Sequence, residues 1–307
     1  MSYSTDHYQA VLDRIVSAER EGAALILQAH EILAEAKTDR RNVVTEYDRR
    51  VQELLMTRLR EALPDARFFC EEMNEQDDLD AEQLFIIDPI DGTMNFVHGF
   101  HHSCISVAYA ERGVVRAGAI YNPYVDEMFT AISGQGARLN GRPIHAAEAG
   151  LSESLVCFGS SPYAPELADR TFALTKALFL AGLDVRREAS AALDLCSVAA
   201  GRAGLYFELQ LSLWDYAAGV LIAEEAGGQC CTIDGGCFPS DGSKTSLLAG
   251  PRSSDRFLPP DEVTQWFRSC IERPGRSAPF HGVLPPGRSV CFSLFGLLFT
   301  SPDPLTR

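Results

Sequence analysis

Apolar residues recur near helical spacing at Val11, Ile15, Ala18, Leu25 and Ile32, with acids and arginines between them. That pattern predicts a first helix over residues 6–36, followed by a charged break at 37–42. Thr45 with Asp48 three positions on is a capping-box pattern with Asp in place of Glu, so a second helix begins there. Val51, Leu54, Leu55 and Leu59 give it a buried stripe, and Pro64 ends it. Residues 84–87, Leu-Phe-Ile-Ile, form a short unbroken apolar run that reads as a buried strand stopping at Asp88. Short strands over 105–110, 114–121 and 127–132 are joined by turns at Gly113 and Pro123, an antiparallel meander.

The second half changes rhythm. Strands are expected at 155–158, 205–207, 229–233 and 246–248, and helices at 165–180, 190–200 and 213–226, the last capped by Gly227-Gly228. A meander combined with strand–helix alternation predicts a layered α/β (α+β) architecture. Gly134-Gln135-Gly136 lacks the following helix of a dinucleotide fingerprint and reads as hairpin glycines.

Composition narrows the function classes. The 27 Lys+Arg against 42 Asp+Glu leave a net charge of −15, which argues against an electrostatic grip on nucleic acid or anionic membrane. Residues 1–10 lack the basic start and apolar run of a secretory signal, and no stretch has the roughly 18 apolar residues of a membrane span. The nine cysteines form no C-x-x-C pair, as expected of reduced thiols in a cytoplasm. From Pro259 onward lie eight of the sixteen prolines and no lysine. We therefore divide the chain into a globular domain, 1–258, and a Pro-rich tail, 259–307, expected to be poorly ordered. Within the tail, 262–271 reads as a short helix and 290–299 as an apolar patch suited to docking on the body or on a partner.

The chemistry starts at Asp88-Pro89-Ile90-Asp91-Gly92-Thr93. Two acids three apart at the end of a buried strand are brought to one place, and Gly92 lets backbone approach a ligand. Beside amides at the start of a helical turn, such a pair suits a hard divalent cation lying between carboxylate and phosphate. The plainer alternative is a solvated turn. Glu71-Glu72 after Phe68-Phe69-Cys70, and Asp215 after Trp214, are further acids at element ends. His98, His101 and His102 lack a fourth ligand at metal spacing and read as hydrogen-bonding residues at a pocket edge.

Asp88 to Thr93 followed by Asn95-Phe96-Val97-His98-Gly99-Phe100 resembles the signature of the inositol monophosphatase family. Glu71-Glu72 and Trp214-Asp215-Tyr216-Ala217-Ala218-Gly219 resemble its other signatures, and Val43 to Asp48, with Lys37 upstream, resembles its V-T-x-x-D element. The likeness spans about residues 6–258. It implies an α-β-α-β-α sandwich that hydrolyses small phosphate monoesters by direct attack of water, with two to three Mg²⁺. Glu71, Asp88, Asp91, Asp215 and the carbonyl of Ile90 are the implied metal ligands. Thr93, paired with Asp48, would orient and deprotonate the water, and Glu71, counted with them as catalytic, would with water help hold a weaker third ion. The amides of Gly92 and Thr93 would hold phosphate, Glu208 would accept from inositol hydroxyls, and Ser160 and Ala191 would line the pocket. A homodimer and lithium sensitivity follow from the resemblance alone.

Cys70, Met94 and the stretch Glu188-Ala189-Ser190 depart from the family pattern without removing an implied ligand. The leading expectation is hydrolysis of myo-inositol 1-phosphate. The same fold also serves fructose 1,6-bisphosphate, histidinol phosphate or 3′-phosphoadenosine 5′-phosphate. An interaction protein that keeps the fold is the expectation from a different class.

Overall fold

The computed structural model describes residues 3–37, 40–73 and 76–251, all within one compact unit. The predicted tail, 259–307, with its helix and apolar patch, lies outside the described residues.

Helix α1 (Thr5–Leu27) starts at the N-cap Ser4 and stops well before residue 36, contrary to the sequence expectation. Residues 34–36 instead form strand β1 (Ala34–Ala36), which pairs antiparallel with β2 (Val43–Thr45). A backbone hairpin outcompetes the helical spacing of Ile32 there, since isolated periodicity is weak against tertiary pairing. Helix α2 (Glu46–Ala62) has the expected capping box at Thr45 and Asp48. β3 (Arg67–Cys70) leads through the acidic loop to β4 (Leu84–Asp91), which continues past Ile87 to include both motif aspartates. After α3 (Thr93–Val97) comes the meander of β5 (Cys104–Glu111), β6 (Val114–Asn122) and β7 (Glu127–Ile132), close to its predicted bounds, and the short β8 (Ala137–Leu139) and β9 (Arg142–Pro143). The second half holds β10 (Leu155–Phe158), α4 (Ala168–Ala181), β11 (Asp184–Arg186), α5 (Ala191–Ala199), β12 (Leu205–Leu211), α6 (Leu213–Glu225), β13 (Gly228–Cys231) and β14 (Thr245–Pro251).

Two sheets carry the layers. The seven-stranded sheet runs β3-β4-β5-β6-β7-β8-β9, antiparallel except between β3 and β4. The five-stranded sheet runs β11-β10-β12-β14-β13. The apolar run in β4 has both faces covered: Phe85 and Ile87 pack under α1 and α2, whereas Leu84 and Ile86 pack against α5 and α6. Ala191, Leu195 and Tyr216, on the other sides of α5 and α6, meet Tyr206, Leu247 and Ala249 of the smaller sheet. Its far face, with Val156 and Phe207, is closed by Leu174 and Leu178 of α4. The order is thus α-β-α-β-α, as the resemblance implies. Among the described residues no helix is long and apolar enough to cross a membrane.

Candidate active site

On a regular strand, residues three apart point to opposite faces. Between β4 and β5 the register slips: Asp88 faces Ser106 and Asp91 faces Cys104, so β4 carries one residue more than its partner. That bulge, holding Pro89 and Ile90, turns both aspartates toward the same set of acids. Both are buried, and the charge of Glu71 acts on each of them.

Every carboxylate is anchored by scaffold. Asp88 Oδ1 accepts from the Ile90 N–H at 3.0 Å. Asp91 Oδ2 accepts from Ser190 Oγ at 2.6 Å and from the Ala192 N–H at 2.8 Å, the first turn of α5, where an anion is favoured. Asp215 Oδ2 accepts from the Ser212 N–H at 2.6 Å at the start of α6. Glu71, at the end of β3, takes Lys37 Nζ on Oε1 at 2.8 Å, and the same ammonium bonds Glu72.

Electrostatics matches this crowding. Burial, then the charges of Glu71, Asp91 and Asp215, drives Asp88 well above the usual carboxylate range. Asp215 is raised well above it by burial and by Glu71 and Asp91. Asp91 is pushed up to about 6 by burial, against the hydrogen bonds of Ser190 and Ala192. Burial by itself would lower Lys37, but Glu71 and Glu72 win and hold it above its ordinary value. Among the described residues no three His, Cys, Asp or Glu side chains stand together at metal-binding spacing. The donor set is nonetheless all oxygen, with Asp88, Asp91 and Asp215 raised by burial and by the charge of neighbouring acids, and with Lys37 as the cation that offsets this at Asp88, which suits a hard divalent ion.

Beside the acids, Thr93 Oγ1 lies 3.3 Å from Asp48 Oδ1 and 3.1 Å from the Ile90 carbonyl. Asp48 is fixed in turn by Thr45, whose N–H and Oγ1 reach Oδ2 at 2.8 and 2.5 Å. Burial pushes Asp48 up to about 6. Gly92 has φ +86°, and a Cβ there would meet the carbonyl oxygens of Ala189 and His102 at 3.1 Å. A left-handed turn in such close quarters requires glycine.

Glu208 is buried with both oxygens occupied. Oε1 accepts from the Ser161 N–H and Oγ at 2.8 and 2.9 Å, and Oε2 from the Tyr206 hydroxyl at 2.9 Å. Ser160 Oγ is met instead by Arg187, and Ala191 opens α5. Of the three histidines, His102 pairs with Glu188 at 3.1 Å and His101 stacks on Tyr124.

Sequence reasoning missed the roles of Ser190 and Ser161, and it named Asn95 only as part of a motif. Asn95 Nδ2 donates to the carbonyls of His102 and Glu188 at 2.7 and 2.6 Å, tying α3 to the segment that holds Asp91. Ser190 had one legible signal, its place as an N-cap, and it is the N-cap of α5. A cavity of about 210 Å³ lined by His102, Glu127, Cys157, Arg186, Glu188 and Arg202 has none of Asp48, Glu71, Asp88, Asp91, Asp215 or Glu208 in its wall.

Residues 7–261 match the sequence profile of the inositol monophosphatase family. The protein named Nus factor SuhB of Pasteurella multocida (strain Pm70) is 34% identical over 230 residues, which cover 74% of this chain and 86% of that protein. The solved IMPase of Thermotoga maritima is 31% identical, covers 85% of this chain and 98% of its own, and superposes with a TM-score of 0.74. An IMPase/NADP phosphatase solved with Mg²⁺ and phosphate is 25% identical, covers 84% and 95%, and has a TM-score of 0.72.

Proposed function

The chain belongs to the inositol monophosphatase family, and from that premise we propose that it is a Mg²⁺-dependent phosphatase of small phosphate monoesters, myo-inositol 1-phosphate first among them. The observation that carries this reading is the meeting of Asp88, Asp91, Asp215 and Glu71, from separate segments, beside the Thr93–Asp48 pair.

The ligands in this reading are Glu71, Asp88, Asp91, Asp215 and the Ile90 carbonyl, for two to three ions. Mg²⁺, when bound, neutralises phosphate charge and makes water a better nucleophile. The chain supplies placement and a proton path. The Gly92 and Thr93 amides hold the phosphate oxygens, and Thr93 Oγ1, held by Asp48, orients the water. Asp48, near 6, is a base matched to neutral pH, with Glu71 assisting. Water oxygen bonds phosphorus, the ester P–O bond breaks, and a proton passes to the leaving oxygen, giving an alcohol and inorganic phosphate. Glu208, fixed by Ser161 and Tyr206, accepts from the hydroxyls of the leaving polyol, with Ser160 and Ala191 as pocket wall.

Phosphate release from myo-inositol 1-phosphate with Mg²⁺, and its loss in EDTA, is the expected result. No release from that ester overturns the substrate. No release from it or from fructose 1,6-bisphosphate, histidinol phosphate or 3′-phosphoadenosine 5′-phosphate overturns the activity. The name Nus factor of the relatives favours a second reading, a partner role in transcription. An Asp91→Asn variant that loses turnover yet still sustains a cellular role of this chain supports that reading. A homodimer is part of the proposal, and a solution mass of two chains is its measure.

A further inference from the structure

Around the acid cluster the polar side chains already have partners. Lys37 bonds Glu71 and Glu72, Ser190 bonds Asp91, and Thr93 lies between Asp48 and the Ile90 carbonyl. Glu208 takes the Ser161 N–H and Oγ and the Tyr206 hydroxyl, three of the roughly four positions at which a carboxylate accepts. It has room for about one hydroxyl of a substrate. Ionised carboxylates only accept, so a second hydroxyl of a polyol, presented through its oxygen, needs a donor.

The loop after β10 holds such a group in Tyr163. This loop ties two sides of the site together. On one side Ser161 is clasped to Glu208, and a turn from the Ala164 N–H to the Ser161 carbonyl, 2.8 Å, carries the chain through Tyr163. On the other side the Pro162 carbonyl accepts from Arg41 Nη1 at 3.2 Å, in the turn between β1 and β2 that also carries Lys37 and so reaches Glu71. Ser161 is held at φ +39°, a conformation that persists only where surrounding contacts impose it. Lys244 covers one face of the Tyr163 ring, with Nζ 5.0 Å from its centroid.

Burial, and then the charges of Asp215, Glu208, Glu71 and Asp91 from four separate segments, raise the Tyr163 phenol above its ordinary value. It therefore stays protonated and acts as a donor. A largely buried tyrosine hydroxyl usually finds a partner. That of Tyr163 has none among the described residues, and unlike the Tyr216 hydroxyl it is not sealed inside the protein.

We propose that Tyr163 is a specificity-determining residue of this site: its hydroxyl donates to one hydroxyl of the leaving polyol while Glu208, held by the same loop, accepts from a neighbouring one. The chain then selects phosphate esters with adjacent hydroxyl groups over esters of a bare ring. The inference rests on the phosphatase reading for the reaction, and on the loop and its unpartnered hydroxyl for the binding.

Tyr163→Phe keeps the ring and its contact with Lys244 and removes the donor alone. Two esters of one ring size serve as probes, myo-inositol 1-phosphate and cyclohexyl phosphate, whose ring bears no hydroxyl. With Mg²⁺ and the full chain, the KM for the inositol ester is expected to rise about three- to tenfold in Tyr163→Phe, the size of one hydrogen bond, with kcat little changed. The constants for cyclohexyl phosphate stay where they were. Calorimetry in a Thr93→Ala background, which slows hydrolysis, shows the same selective loss of affinity when Tyr163→Phe is added, and circular dichroism verifies the fold. An unchanged KM and affinity for the inositol ester overturns the role of Tyr163. So does an equal change for both esters, which is what a merely structural residue would give. If the selective loss of affinity holds but the unaltered chain releases phosphate from neither ester, Tyr163 keeps its role and the phosphatase reading falls.

Discussion

The carboxylate of Glu208 fills the space that a side chain at Gly159 would need: a Cβ built on Gly159 lies 1.7 Å from Oε2 and 2.1 Å from Cδ. Glu208 has little freedom to retreat, because Ser161 and Tyr206 hold both of its oxygens. Gly159→Ala must therefore break that network or shift the strand. We expect the KM for myo-inositol 1-phosphate to rise at least tenfold with a lower Tm, since overpacking a tight site costs about 1–3 kcal/mol. Steady-state kinetics measures it, and an unchanged KM takes Glu208 out of the substrate site.

Asp91→Asn keeps the shape of the side chain and removes its charge. Turnover is expected to fall by about a thousandfold or more, the scale of losing one electrostatic element of a reaction centre. The variant stays folded, because a buried acid among Glu71, Asp88 and Asp215 is repelled rather than supported in the absence of metal. Near-normal phosphate release from it removes Asp91 from the proposed ligands.

Stability in EDTA has a definite sign with pH. Asp48 and Asp91 are raised to about 6 and Glu72 to about 7, mainly by burial. A carboxyl whose folded pKa is raised contributes stability below its unfolded value and loses it as pH climbs through the folded one. The metal-free Tm should fall between about pH 4 and pH 7 from these groups. The fall is smaller in Asp91→Asn. Thermal melts at pH 5 and pH 7.5 check this, and a variant whose slope equals that of the unaltered chain refutes the assignment.

Thr93 is the hydroxyl between Asp48 and the Ile90 carbonyl. Thr93→Ala should lower kcat about a hundredfold to ten-thousandfold, the range for proton transfer by a positioned group, with KM little changed. Thr93→Ser restores most of the rate. A KM effect with kcat intact would make Thr93 a binding residue only.

Lys37 bridges Glu71 and Glu72 with an ammonium only one-fifth exposed. Lys37→Gln leaves those acids without their counter-charge, so the metal-free protein loses roughly 1–3 kcal/mol, less than for a fully buried pair. Mg²⁺ restores much of it, and the Mg²⁺ concentration at half-maximal stabilisation drops because a competitor for Glu71 is gone. Melts across a Mg²⁺ series report both, and a weaker Mg²⁺ effect than in the unaltered chain contradicts the assignment.

Local pattern carried much of this protein. The capping box at Thr45 and Asp48 and the meander from β5 to β7 involve neighbours within a few residues, or a repeat of two, and they stand in the sequence itself. The acid motifs were legible as chemistry for the same reason. The end of α1 was not, because a backbone hairpin at 34–36 overrode helical spacing. Nor was the bulge that turns Asp88 and Asp91 the same way, which exists only as a mismatch with β5. Ser190 reaches Asp91 across 99 positions and Ser161 reaches Glu208 across 47. No periodicity encodes such pairs. Sequence by itself determined which chemical groups are present and which elements carry them, since those follow from local preference and burial. Only the tertiary structure decided which of those groups share a site, because that depends on strand register and layer packing, which bring distant residues within hydrogen-bond reach.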